Sequence, residues 1–306
     1  MSTPSLEVKK LAKEYSKYRA VDGISFQVQP GEVLGLLGPN GAGKSTKIQM
    51  LMGITTRTSG VISYFGYDMR TNRQACLQRI NYVSAYNTLQ YRITVWENLS
   101  VFAGLYSVIK PKDKINDLLK TFNIEHLRDQ KYINLSSGER TRVNLAKALI
   151  NDPEIILMDE PTASLDPDIA DKTLSIIEDL RTNRNTSILF TSHNMDEVTR
   201  ICDKVIILDH GKIVKQDDPL TLTKELGTAN LHLVFEGDKD KLIGFLKSKS
   251  KKPTFTHDYS VTFPVREREA AVYIQAISSL GIKILDLDLK KPDLEDVFLN
   301  IARRQK

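Results

Sequence analysis

Along the first thirty positions apolar and polar residues alternate. Leu6, Val8 and Leu11 mark one run; Ile24, Phe26 and Val28 mark a second, bounded by Asp22-Gly23 and Pro30-Gly31. Such alternation predicts half-buried strands. Val33–Leu37 is then apolar without a break and ends at Gly38, the pattern of a strand covered on both faces of a parallel sheet. Residues 154–158, 187–190 and 204–208 repeat that short apolar run. Between the strand-like runs, Lys44–Leu51 and residues 113–122, 139–150, 168–180 and 195–201 show the three-to-four spacing of helices. Short apolar strands alternating with helices predict an α/β fold with a mostly parallel sheet between helical layers.

The rhythm changes at Asp217-Asp218-Pro219. A short helix over 220–226 leads into a strand (231–235), a helix (240–246), two strands (within 254–265), a helix (267–280), a strand (282–289) and a last helix (294–302). The order βαββαβ is that of a small α+β, ferredoxin-like domain. Two domains are therefore expected, at 5–216 and 217–306, and a chain of 306 residues accommodates both.

Composition narrows the class without choosing a function. With 41% apolar and 26% charged residues the chain has an ordinary globular balance, and a net charge of +5 is too mild to imply nucleic acid. Two cysteines, Cys76 and Cys202, cannot build a disulfide framework or a four-ligand zinc site. The first ten residues lack an apolar signal-peptide core, and no run approaches the roughly 20 apolar residues of a spanning helix. The chain is expected to be soluble by itself, so any membrane role comes through a partner. Lys247, Lys249, Lys251 and Lys252 crowd one loop, which reads either as a solvated segment or as a contact with an anionic membrane surface.

Chemistry enters at Gly38-Pro39-Asn40-Gly41-Ala42-Gly43-Lys44-Ser45-Thr46, which contains the spacing G-x-x-x-x-G-K-S. Glycines let the backbone turn tightly enough for successive N–H groups to face phosphate oxygens, and the following helix points its positive end at the same anion. Lys44 reaches for the outer phosphates and the Ser45 hydroxyl for magnesium. Residues 155–160, Ile-Ile-Leu-Met-Asp-Glu, form an apolar strand that delivers Asp159 and Glu160 at its carboxyl end, where open α/β sheets collect ligands. Asp159 suits the magnesium shell, and Glu160 suits orienting or deprotonating a water that attacks the terminal phosphate.

With these motifs in order, the chain resembles the nucleotide-binding subunit of an ATP-binding cassette (ABC) transporter. Leu135-Ser136-Ser137-Gly138-Glu139 is similar to the family signature Leu-Ser-Gly-Gly-Gln, Ser164-Leu165-Asp166 to its D-loop, and His193 to its switch histidine. Tyr15 matches the aromatic residue that stacks on adenine, with Tyr18 as a neighbouring competitor. The resemblance spans about residues 5–215. It implies a P-loop NTPase of the ABC-ATPase type, with a mixed-sheet core and a helical signature subdomain. It also implies a head-to-tail dimer enclosing two ATP molecules and magnesium. Ser136 and Gly138 would then donate to the γ-phosphate held by the facing copy, while His193 would hold that phosphate and link the attacking water to Glu160. Residues 291–298, Lys-Pro-Asp-Leu-Glu-Asp-Val-Phe, resemble the ending of the drug-, sodium- and polymer-exporting branch with separate permeases.

Three positions depart from the family pattern: Ala85 stands where a glutamine helps ligate magnesium, with Gln90 a nearby substitute; Ser137 replaces a glycine; Glu139 replaces a glutamine. The resemblance therefore implies either an ATPase, cytoplasmic and peripheral on the inner membrane, that powers an export permease on another chain, or a regulatory or degenerate subunit with little hydrolysis. The second ATP-binding subunit is an identical copy or a paralogue. Nucleic acid is not an expected partner, because there is one cassette, no long heptad insertion and no concentrated basic face.

Overall fold

The computed structural model describes residues 3–16, 18–39, 42–84, 88–163 and 165–303, apart from the side chains of Ser45, Ala302 and Arg303. The chain divides into two compact units, Met1–Pro219 and Leu220–Lys306. The division lies three residues beyond the boundary expected from sequence, because the last strand of the first unit runs on through Asp217.

The first unit contains, in order, β1 (Leu6–Tyr15), β2 (Tyr18–Val28), β3 (Val33–Leu37), α1 (Lys44–Leu51), β4 (Ser59–Tyr64), β5 (Tyr67–Asp68), α2 (Arg73–Leu77) and β6 (Ile80–Ser84). Then come α3 (Val95–Leu105), α4 (Pro111–Thr121), α5 (Ser137–Ala148), β7 (Ile155–Asp159), α6 (Pro167–Arg184), β8 (Ser187–Thr191), α7 (Met195–Ile201), β9 (Lys204–Asp209) and β10 (Lys212–Asp217). A six-stranded sheet runs in the order β10-β9-β3-β8-β7-β6. All its pairs are parallel except β10 on β9, so the core is a mixed sheet. The uninterrupted apolar runs account for this burial: every residue of β3 and β8 is buried, as are the first four of β7.

A second sheet, β2-β1-β4-β5, is antiparallel. One apolar cluster joins the two sheets through α1: Met50 and Leu51 share it with Leu6, Ile24 and Ile62 of one sheet and with Leu36, Leu157 and Ile206 of the other. Helices α3, α4 and α5 pack on one another apart from this core, burying Leu99, Leu118 and Val143. The hydrophobic pattern did not foretell α3, yet its start was readable. Thr94 accepts from Glu97 N at 3.1 Å while the Glu97 carboxylate accepts from Thr94 N at 2.7 Å, a reciprocal cap spelled T-x-x-E in the sequence.

The second unit follows α8 (Pro219–Lys224) with β11 (Ala229–Glu236), α9 (Lys239–Ser248), β12 (Thr254–His257), β13 (Ser260–Val265), α10 (Ala270–Ser279), β14 (Lys283–Lys290) and α11 (Leu294–Arg303). Its sheet order is β12-β13-β11-β14 with antiparallel neighbours, the ferredoxin-like arrangement. Alternation in β11 buries Leu231, Leu233 and Phe235 against Leu242 and Leu246 of α9 and Ile277 of α10. Of the four clustered lysines, Lys247 belongs to the last turn of α9 instead of a loop and is exposed, as are Lys249 and Lys252, while Lys251 is half-buried with its Nζ 5.2 Å from the centre of the Tyr273 ring. Near the C-terminal helix, Asp296 N donates to Asp293 Oδ1 at 2.9 Å, capping α11, and Leu294 and Val297 are buried.

One buried cation ties the helical layer to the sheet. Lys147 of α5 donates to Tyr82 O of β6 at 2.8 Å and to Asn81 Oδ1 at 3.3 Å. Burial pushes its ammonium from 10.5 down to about 8. Between these values the unfolded chain holds a proton that the folded chain has lost, so Lys147 makes stability rise with pH across that window. Urea denaturation from pH 8 to pH 10 should show a smaller rise in unfolding free energy for Lys147→Met than for the unaltered chain. Equal slopes would contradict the burial of charge at this position.

Candidate active site

The parallel pairing of β3, β8 and β7 brings three strand ends to one edge of the sheet. At the end of β3 the chain passes through Gly38 and Pro39 to Ala42 and Gly43; Asn40 and Gly41 lie outside the described residues. Gly43 has φ +81, and a Cβ there would sit 2.5 Å from the Ala20 carbonyl oxygen. Only glycine fits this turn, on both counts. The close approach also sets β2 against the loop, and Ala20 is two residues from Tyr18, at the Tyr15–Tyr18 end of the β1–β2 hairpin.

Lys44 opens α1 and is buried, with Nζ donating to the Gly38 and Pro39 carbonyl oxygens. Burial lowers its proton affinity, while Glu160 and then Asp159 pull the other way. A lysine folded onto its own loop, within the influence of two carboxylates, is suited to exchanging those carbonyls for phosphate oxygens. Thr46 is half-buried on α1, and the backbone of Ser45 belongs to that helix.

Across the edge, the β7–β8 register sets Asp159 beside Thr191. The Thr191 hydroxyl donates to Asp159 Oδ1 at 2.7 Å, and the Tyr82 hydroxyl reaches Asp159 Oδ2 at 3.5 Å. Glu160 turns away from the strand with φ +52, and its N–H lies 3.0 Å from Thr191 O and 3.1 Å from Thr191 Oγ1. That left-handed turn, uncommon for a residue with a side chain, aims the carboxylate out of the sheet. His193 meets it there, with Nε2 2.6 Å from Glu160 Oε1. Phosphate loop, Asp159, Glu160 and His193 thus share one edge.

Sequence reading missed the residues that hold this edge. Thr191 organises both acids. Glu197, buried on α7, accepts from Thr162 Oγ1 at 2.7 Å and from Ser192 Oγ at 2.6 Å, binding the residue two past Glu160 to the residue before His193. A glutamate one turn into a helix looks solvated in sequence; its two partners lie 35 and 5 residues away, so nothing local announced it.

The signature residues stand apart. Among the described residues no hydrogen bond joins Ser136 or Gly138 to the phosphate loop. Ser136 caps α5: Glu139 Oε2 accepts from Ser136 N at 2.8 Å and from Ser136 Oγ at 2.9 Å. The Ser136 N–H hydrogen bond is the main reason the Glu139 carboxyl is held below its ordinary range. Charge expected to face a nucleotide is therefore spent on the helix end. Gly138 is buried, and a Cβ there would lie 2.9 Å from Ile169 Cγ2 of α6, while Ser137 is exposed. Tyr15 and Tyr18 are cross-strand partners, 45% and 55% exposed, and Lys13 Nζ lies 4.7 Å from the centre of the Tyr15 ring. Gln90 is exposed, with its backbone pinned by Asn98 at both N–H and carbonyl. No contact among the described residues takes it to Asp159. Ala85 and Ser164 lie outside the described residues; Asp166 begins α6 as its N-cap.

A family model described as ABC transporter matches residues 21–163. The chain is 32% identical to the Nod factor export ATP-binding protein I of Rhizobium meliloti, over 99% of this chain and 89% of that protein. It is 31% identical to the protein of the same name from Burkholderia pseudomallei, over 100% and 99%. Among solved structures it is similar to cbiO1 from Clostridium perfringens, part of the ABC transporter complex cbiONQ. That likeness has a TM-score of 0.65 and 27% identity, over 81% of this chain and 96% of that one.

Removing the Glu197 carboxylate leaves two buried hydroxyls without their acceptor. Glu197→Ala should lower the unfolding free energy by about 2 to 3 kcal/mol in urea denaturation. Asp196→Ala, at the exposed neighbouring position, should change it by only about 0.5 kcal/mol.

Proposed function

The chain belongs to the ABC family of transporter ATPases, and on that premise we propose that two copies close around ATP to power an export-type permease carried on a separate chain. The contact between His193 and Glu160 carries the reading, since it joins a base and a phosphate sensor beside Asp159 and Lys44. The relatives named for Nod factor export support the direction of transport.

In this reading the loop from Gly38 to Thr46 cradles the phosphates and Lys44 leaves its carbonyls for the outer ones. Asp159 fits a magnesium site, since Thr191 and Tyr82 fix the direction of its two oxygens, and Ser45 would be the second protein ligand. Bound magnesium supplies charge neutralisation of the phosphates. Glu160 takes a proton from the attacking water while His193 holds the γ-phosphate, and Tyr15 offers its exposed ring to adenine. Ser136 and Gly138 reach the nucleotide held by the facing copy, and loss of the γ-phosphate releases the pair. That is a ligand shifting a two-state equilibrium through differential contacts.

The permease would dock on the segment from Tyr86 to the helix near Ile115. Three exposed apolar residues support this: Val101 and Leu105, one turn apart on α3, and Ile109, which is 89% exposed. No helix among the described residues is long and apolar enough to cross a membrane. Membrane association, on the cytoplasmic face, would therefore come through that partner. Residues 217–306 would act as an accessory domain.

One observation favours the degenerate alternative: Glu139 already engages the Ser136 hydroxyl, which must be freed to reach a phosphate. Glu160→Gln with ATP and magnesium should elute as a dimer in gel filtration and release no phosphate, whereas Lys44→Ala should remain monomeric. Glu139→Gln keeps an acceptor for the cap without its charge. It should raise phosphate release at limiting protein by about threefold, the scale of one partly exposed charge. Phosphate release unaffected by Glu160→Gln would defeat the hydrolytic reading.

A further inference from the structure

The mechanism above leaves one cation at the phosphate loop unused. Lys47 follows Lys44 by one helical turn on α1 and is fully buried. Its Nζ donates to the Ala42 carbonyl oxygen at 2.7 Å and lies 3.2 Å from the point a Cβ on Gly43 would occupy. The ammonium therefore rests against the backbone of the loop itself. Among the described residues it has no carboxylate in ion-pair contact. A buried ammonium is expensive unless an anion or several acceptors compensate it, and among the described residues a single carbonyl does so. Glu160 and Asp159 act on Lys44, whereas the charge felt by Lys47 is that of Lys44, which repels it.

We propose that Lys47 is a positioning residue of the phosphate site. It acts through the loop on which it rests, supplying positive charge whose counter-ion is the nucleotide polyphosphate. This rests on the reading that the loop binds ATP. The loop then presents two lysines to one anion: Lys44, which reaches the phosphates directly, and Lys47, which lies behind the peptide groups that cradle them. Because its effect is electrostatic, Lys47 favours ligands in proportion to their phosphate charge and stabilises the empty protein little or not at all.

The full-length chain, titrated by calorimetry with ATP, ADP and AMP, distinguishes this from a packing role. Lys47→Met should weaken ATP binding about tenfold, the effect of one charge acting over several ångströms through the effective dielectric of a protein, and AMP binding by less than about twofold. The ligand-free melting temperature should be no lower than that of the unaltered chain. Lys47→Gln, which keeps a donor for Ala42 O without the charge, should lose as much ATP affinity as Lys47→Met; it decides the matter if the methionine variant does not fold. ATP affinity restored by Gln, unchanged in both variants, or lost equally for ATP and AMP would overturn the proposal. If the unaltered chain bound no ATP at all, the nucleotide reading itself would fail instead.

Discussion

The register that sets Asp159 opposite Thr191 is the constraint on which the active edge depends. Parallel pairing carries β3, β7 and β8 to the same side of the sheet, and one hydroxyl then does two things. It donates to Asp159, fixing one carboxylate oxygen, and with its own carbonyl it receives the Glu160 N–H, holding a left-handed turn that would otherwise be strained. His193 follows Thr191 by two residues, so a single strand end orients one acid, turns the other and delivers the imidazole. A slip of one residue in this pairing would turn alternate side chains to the opposite face and scatter all three.

Buried charge recurs around this edge. Lys44 and Lys47 reach back from α1 to the loop, Lys147 joins α5 to β6 three residues before Ala85, and Glu197 lies between Thr162 and Ser192. Each is held by short-range hydrogen bonds to backbone or hydroxyl groups. Such sites cost stability in isolation but fix geometry, because the groups cannot move without leaving a charge unsolvated. The edge is thereby preorganised for a polyanion: cations gather under the loop, and carboxylates gather where metal and water are expected.

The departures from the family pattern also acquire physical content. Glu139 completes the cap of α5 and is turned toward the helix end, where a carboxylate meets free N–H groups. Ser137, the first residue of that helix, is exposed, so its extra side chain meets no obstacle within the chain. Gly138 lies against Ile169, whose side chain would have to shift to admit a Cβ there.

The sequence alone determined what depends on residues close in the chain. The phosphate loop was legible because glycine spacing and the following lysine are a local requirement of backbone geometry. The buried strands were legible because a fully covered strand must be apolar throughout, and the βαββαβ order of residues 231–289 because each element keeps its own period. Helix α3 could have been read from Thr94 and Glu97. The tertiary structure decided what depends on distant partners: the Thr191 clamp on Asp159, the place of Glu197 and the burial of Lys47. Whether a polar side chain is solvated, paired or stranded is set by what packs over it, and for a buried charge that is fixed by segments far along the chain.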